Sequence, residues 1–360
     1  LLAGYIVGKQ KSAEKKMEDQ FEREIREVIC PLEDLGPTIL DTTYFLKDSG
    51  SFVYTEGYWH PRGKFYGKII SYPCDKGTLE VHGRKYESIT KGWEGGERIM
   101  IPHDRQIEQH YKIDPSLKPP KERLILTEFH YPFDLKTMEG WFCNHKSMLY
   151  AMDKYPKVEK RIREVSEIFK VPLERLGVTG SLAYGCMEDG EDIDMVFFGT
   201  PQQNMEVAQQ IWKFTYTDPE KRCIEFGKFW PIRFYHNGVI ICCFFVYSDR
   251  KYIPLLDQEV ELVREPVEAF GTIVDNLHSI YMPLVIQLGD VFIDGTRTDD
   301  IELIIYDGSL RGEFYNKERL HISRGRLVKL TKGKRSRDVI VVVDAGDIEK
   351  ERFVRGVPAF

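Results

Sequence analysis

None of the seven cysteines forms a CxxC pair, and only Cys242 and Cys243 lie close together. Adjacent residues on a strand point apart, so this usage fits neither a disulfide scaffold nor a zinc site and suits a reducing compartment. The apolar opening Leu1–Val7 is too short to cross a bilayer and ends at Lys9 and Lys11 without a cleavage-site pattern. The expectation is a cytoplasmic protein with no membrane partner; the missing initiator Met suggests a trimmed start. A basic excess is lacking as well. Lys and Arg number 51 against 57 Asp and Glu, a net charge of −6, which excludes a surface that grips nucleic acid all over but leaves room for a local basic groove. No period of 20–50 residues repeats, which excludes solenoids and propellers.

What is present is ordinary for a globular chain: 42% hydrophobic and 30% charged residues over 360 positions, enough for two or three domains. Residues 9–29 are densely charged and free of Gly and Pro, with Met17, Phe21, Ile25 and Ile29 at four-residue spacing. That is a helix with a narrow apolar stripe, either a solvated cap on the next domain or a partner helix. From Pro37 to Trp93 short aromatic and β-branched runs alternate with turns at Asp48-Ser49-Gly50, Pro61-Arg62-Gly63 and Cys74-Asp75-Lys76-Gly77, which predicts a small antiparallel sheet or barrel. Within it Trp59, His60 and Arg62 mix aromatic and basic character, a combination that either stacks a base and holds a phosphate or packs a hairpin end. Residues 94–122, with Pro102, Pro115, Pro119 and Pro120, read as a linker, and Met138–Tyr150 as a helix.

The most informative stretch is Leu176–Gly199. A short apolar run ends at Gly180-Ser181; ten residues later Asp192-Ile193-Asp194 opens a second run, Met195–Phe198. On a strand Asp192 and Asp194 project together while Ile193 points into the core. Two adjacent carboxylates repel unless a cation lies between them, and hard divalent ions take such oxygens. Gly180 permits a tight strand-to-helix turn whose N–H groups, with the Ser181 hydroxyl, could hold phosphate oxygens. The pattern points to a Mg²⁺–nucleotide site; the bland alternative is an ordinary turn followed by a solvated acidic loop. A helix over Lys157–Lys170 precedes this stretch, a helix over Gln202–Phe214 follows it, and Val239–Tyr247 reads as a buried central strand.

Thr179-Gly180-Ser181 followed by Asp192-Ile193-Asp194-Met195 resembles the signature of the nucleotidyltransferase superfamily typified by DNA polymerase β, over roughly residues 121–247. The opening around His60-Pro61 is also similar to that of archaeal nucleotidyltransferase-domain proteins of uncharacterised activity. The resemblance implies a mixed sheet with flanking helices and two Mg²⁺ (or Mn²⁺) ions on Asp192 and Asp194. It further implies a nucleoside triphosphate held by Gly180 and Ser181, and transfer of a nucleoside monophosphate to an acceptor hydroxyl, RNA being one candidate. One element is missing. The family's third carboxylate belongs on the neighbouring strand, yet Val239–Tyr247 carries Cys242 and Cys243 and no acid; Glu225 and Asp249 are the nearest substitutes. A thiol suits softer metals than Mg²⁺, so a non-catalytic nucleotide- or nucleic-acid-binding protein on the same fold stands as the alternative.

The chain then returns to strands and turns. Residues 329–337, KLTKGKRSR, carry five basic residues in nine; Lys332, Lys334 and Arg335 there either contact nucleic acid or cover a solvated turn. The expected class is α+β: an N-terminal charged helix (1–36), a small β-rich domain (37–93), a linker (94–122), a nucleotidyltransferase-like mixed sheet with flanking helices (123–250) and a β-rich C-terminal domain (251–360). Oligomeric state is not legible.

Overall fold

Short aromatic and β-branched runs in the N-terminal part build an eight-stranded sheet with apolar clusters on both faces, seen in a computed structural model that describes residues 20–60, 63–95, 97–118, 125–127, 130–187 and 192–351. Its strands run in the order Ile29–Cys30, Met138–Phe142, Tyr44–Lys47, Phe52–Thr55, Lys64–Pro73, Arg84–Ser88 and Leu79–Val81, with Tyr131–Asp134 also paired to Lys64–Pro73. Helices and sheets together give the expected α+β class. Three local expectations change. Residues 131–142 belong to the N-terminal sheet, where Met138, Gly140 and Phe142 are buried at period two, and the helix read from Met138 begins at Asn144. The 94–122 stretch is more than a linker: it holds the helix His103–Ile113, whose inward residues are Gln106 and His110. Because polar side chains occupy the buried face, no apolar stripe marked it; His110 Nε2 accepts from Ile69 N at 3.0 Å. The charged N-terminal helix is described over 20–28, with Phe21, Ile25 and Val28 buried against the first sheet, while Met17 lies outside the described residues.

The central sheet has five strands, in spatial order β1 (Leu176–Val178), β2 (Ile193–Gly199), β5 (Val239–Tyr247), β4 (Lys228–His236) and β3 (Arg222–Glu225). β2 and β5 pair in parallel and the other neighbours antiparallel, so the sheet is mixed. Three helices, α1 (Asn144–Lys154), α2 (Pro156–Phe169) and α3 (Pro201–Thr217), bury apolar stripes on one face of it. Local signals set their limits: α2 stops where Lys170 turns left-handed ahead of Pro172, and α3 starts at a capping box of Thr200 and Gln203 with Pro201 at its first position.

The C-terminal sheet closes on itself. Glu259–His278 pairs with Leu284–Ile293, then Ile301–Ile305, Arg335–Val342 and Arg319–Lys332 follow, and the last pairs back to Glu259–His278. In sequence order this ring reads 1-2-3-5-4-1, a closed five-stranded barrel with one parallel pair, Ile301–Ile305 with Arg335–Val342. Leu284–Ile293 is one continuous strand with an irregularity at Gly289-Asp290, where Asp290 takes φ 49°. Among the described residues no helix is long and apolar enough to cross a membrane.

Asn204 of α3 binds these parts together. Fully buried, its amide nitrogen reaches Phe197 O at 3.3 Å, Val246 O at 3.0 Å and the Tyr281 hydroxyl at 3.0 Å, joining the ends of β2 and β5 to the C-terminal part. Asn204→Ala strands these acceptors in the interior and is expected to lower unfolding free energy by about 1–3 kcal/mol in urea titration.

Candidate functional site

The period of β2 creates the site. Ile193, Met195 and Phe197 are at most 1% exposed against the helices, so Asp192 and Asp194 must face the opposite side of the sheet, where both are half-buried. The β1–β2 pairing extends one step further, with Thr179 N donating to Asp194 O at 2.9 Å, and this brings Gly180 against the carboxyl. Gly180 has φ +63°, and a Cβ on it would stand 2.0 Å from Asp194 Oδ2, so glycine is required for both conformation and space. Residues Gly180–Tyr184, including half-buried Ser181, form a single 3₁₀ turn closed by left-handed Gly185; the expected longer helix does not follow.

Asp192, Asp194 and Cys242 each offer a ligand atom, all within 4.8 Å of one another. Burial, followed by the charge of Asp192, lifts the Asp194 carboxyl to about 7, although Lys91 and Arg233 oppose the shift. The Cys242 thiol is pushed well above its ordinary value by burial and by Asp194, and it donates to Asp192 Oδ2 at 3.3 Å. The donor set therefore fits one hard cation on two carboxylates, completed by water, with Cys242 orienting Asp192 through a hydrogen bond.

The position where a third carboxylate was sought is occupied by this cysteine. Parallel register sets Asp194 beside Cys242, and antiparallel register sets Cys242 beside Arg233. Neither proposed substitute joins the group. Asp249 lies seven residues beyond Cys242, about 23 Å along the strand direction at 3.3 Å per residue; it accepts from Lys251 N and pairs with Lys251 Nζ at 3.2 Å. Glu225 is closer but committed, its Oε2 2.6 Å from Arg233 Nη1. Cys242 was legible as the residue standing where an acid was expected, whereas nothing at Arg233 itself marked it as the neighbour. Their juxtaposition was encoded in the two-residue Asn237-Gly238 turn, which has φ 49° and 81° and fixes His236 opposite Val239 and Arg233 opposite Cys242. Lys91, from a separate two-stranded hairpin, carried no local signal.

The other candidates lie apart from this group. Trp59 stacks on Tyr66 with ring centroids 5.4 Å apart and donates to Gln258 O at 2.8 Å, and His60 Nδ1 accepts from Tyr66 N at 3.2 Å. Burial lowers His60 to about 4, so it is neutral at physiological pH and carries no charge for a phosphate. Both residues pack the end of a hairpin; Arg62 lies outside the described residues. Lys332, Lys334 and Arg335 are exposed at the tip of the Arg319–Lys332/Arg335–Val342 hairpin around left-handed Gly333, and Lys332 Nζ donates to Leu256 O. Comparison of the chain with known families, with characterised proteins and with solved structures found no match.

Two outcomes follow from the geometry. Gly180→Ala should displace the Asp194 carboxyl and weaken Mn²⁺ binding at least about tenfold, read by calorimetry. Asp194 holds its proton more tightly folded, near 7, than at its ordinary 3.8, so its contribution to stability is full below about pH 4 and is lost as pH rises through 7. In chelator-treated protein, Asp194→Asn should match the parent at low pH and exceed its stability at pH 8 by about 1–3 kcal/mol, measured by denaturant unfolding across pH.

Proposed function

We propose that the protein is a metal-dependent nucleotidyltransferase that moves a nucleoside monophosphate from a triphosphate to an acceptor hydroxyl, such as one on RNA. The observation that carries this reading is the paired carboxylates on one face of a mixed sheet, with Asp194 packed directly against a glycine whose missing side chain makes room for its carboxyl. A mixed sheet with flanking helices is what the resemblance implies, and the presence of one here supports the reading.

A Mg²⁺ or Mn²⁺ ion held by Asp192 and Asp194 would neutralise charge developing on the phosphate oxygens. The chain's own residues do the rest. Asp192 is oriented by the Cys242 thiol, and Asp194 is fixed by its backbone pairing to Thr179. The Gly180-Ser181 turn presents backbone N–H groups and a hydroxyl for the triphosphate, and Lys91 and Arg233 supply positive potential around the carboxylates. In the reaction the acceptor oxygen bonds to the α-phosphorus, the bond from that phosphorus to the bridging oxygen breaks, pyrophosphate leaves with that oxygen, and the acceptor proton passes to water.

The cysteine beside Asp194 supports a second reading, nucleotide or nucleic-acid binding without turnover. Incubation with labelled triphosphates, Mg²⁺ or Mn²⁺ and candidate acceptors separates the two. Transfer predicts incorporated label that Asp192→Asn or Asp194→Asn reduces on the order of a hundredfold or more while circular dichroism is unchanged. Binding that persists with no label incorporated into any acceptor would favour the second reading; unchanged turnover in either variant would remove the assigned roles.

A further inference from the structure

Charge is laid out in order across the carboxylate-bearing face of the central sheet. Asp194 on β2 stands beside Cys242 on β5, which stands beside Arg233 on β4, and Glu225 on β3 closes the row at 2.6 Å from the guanidinium. At about 4.8 Å between strands, Arg233 starts about 10 Å from Asp194, within reach of its own long side chain. Its guanidinium also lies 4.0 Å from the Trp230 ring centroid, and its side chain is 21% exposed. An arginine pinned by a carboxylate and an aromatic face is a preorganised fork, with further N–H groups beyond the one spent on Glu225.

Placing a neutral thiol where an acid would sit has an electrostatic consequence. A second divalent ion at the Cys242 end of the group would meet no third oxygen ligand among the described residues, since a thiol is a soft, poor donor to a hard cation and this one spends its hydrogen on Asp192 Oδ2. It would also meet the fixed positive charge of Arg233. The same location suits an anionic oxygen, which a cation on Asp192 and Asp194 and a guanidinium could share.

We propose that Arg233 replaces a second metal ion: the site holds a single divalent cation on Asp192 and Asp194, and Arg233, positioned by Glu225 and Trp230, binds the phosphate chain of the nucleotide directly. This rests on the nucleotidyltransferase reading and assigns the phosphate contact within it. Arg233 is then a substrate-binding residue and Glu225 a positioning one.

The test counts ions independently of turnover. Mn²⁺ is titrated into the full chain and followed by electron paramagnetic resonance, with and without a non-hydrolysable ATP analogue. One tight Mn²⁺ per chain is expected in both cases. Affinity for the analogue at saturating Mn²⁺ should fall at least about tenfold in Arg233→Met, recover in part in Arg233→Lys, and fall less in Glu225→Gln, while Mn²⁺ stoichiometry without nucleotide stays at one. Thermal melting of each variant confirms folding, and Arg233→Lys keeps the charge test open should Arg233→Met be unstable. Two tight Mn²⁺ ions in the parent protein, or undiminished analogue affinity in folded Arg233→Met, would overturn the inference while leaving the broader reading in place. No Mn²⁺ binding with or without the analogue is a different failure, because it would overturn the cation site on which both depend.

Discussion

The parallel pairing of β2 with β5 is the constraint from which the rest of the site follows. Ile193, Met195 and Phe197 are buried against α2 and α3 together with Ile241, Cys243 and Phe245 of the neighbouring strand. Each large apolar side chain buried this way favours folding by about 1.5–3 kcal/mol. The two-residue period leaves Asp192 and Asp194 no choice of face, and it commits Cys242 to the same side. A one-residue slip of β2 would bury its carboxylates in the apolar core, so the core enforces a juxtaposition of like charges that is unfavourable in itself. The raised Asp194 carboxyl measures that conflict, with burial as the larger cause and Asp192 as the next. A cation removes both objections at once, which is the physical reason to treat the arrangement as a site.

Much of this was legible because it depends on period and spacing. The β2 strand, the helices on either side of it, the projection of both aspartates and the glycine break before them all follow from local rules. What escaped were features that depend on partners distant in sequence. The inward residues of His103–Ile113 are Gln106 and His110, so its buried face carries no apolar signature. Residues 131–142 were placed with the central sheet because nothing local distinguishes a strand that pairs backward over more than 60 residues, as Phe133 does with Phe65. At Trp59 and His60, by contrast, the packed hairpin end that the sequence already offered is what forms, with Tyr66 and Gln258 satisfying the aromatic and basic mix. The third acid was sought by residue type, whereas the structure answers by position, with Cys242 and then Arg233 next in the row.

A buried polar cluster connects the N-terminal sheet to the barrel. Glu56 is paired with Lys68 at 2.7 Å and with His130; burial works against its charge, but these two neighbours hold it well below the usual carboxylate range. The Tyr306 hydroxyl donates to Glu56 O at 3.2 Å, so a tyrosine from beyond the third barrel strand reads the backbone of the first sheet. Fully buried Asp41 accepts from Gly57 N at 2.9 Å, and burial raises it to about 7 with Arg311 3.9 Å away as the main opposing charge. Arg311 also lies 4.5 Å from the Phe244 ring centroid, and Phe244 shares a face of β5 with Cys242. The carboxylate-bearing side of the central sheet is therefore flanked by groups from both β-rich parts of the chain.

The residue next to Asp41 shows how tightly that flank is tied to the candidate site. Thr42 has φ +69°, a conformation that costs a β-branched residue on the order of 1–3 kcal/mol and persists only where the surroundings over-determine it. Here its carbonyl receives two hydrogen bonds from the central part, from Asn144 Nδ2 at 3.2 Å and from the Thr179 hydroxyl at 2.8 Å, while its N–H reaches Thr55 O at 3.1 Å. Thr179 is the residue immediately before Gly180, and its own N–H goes to Asp194 O. One strained turn of the N-terminal sheet thus holds the residue from which both the glycine turn and the Asp194 strand take their positions. The N-terminal sheet is consequently part of the scaffold of the site: the strain at Thr42 is sustained by bonds whose other end fixes where Gly180 meets Asp194.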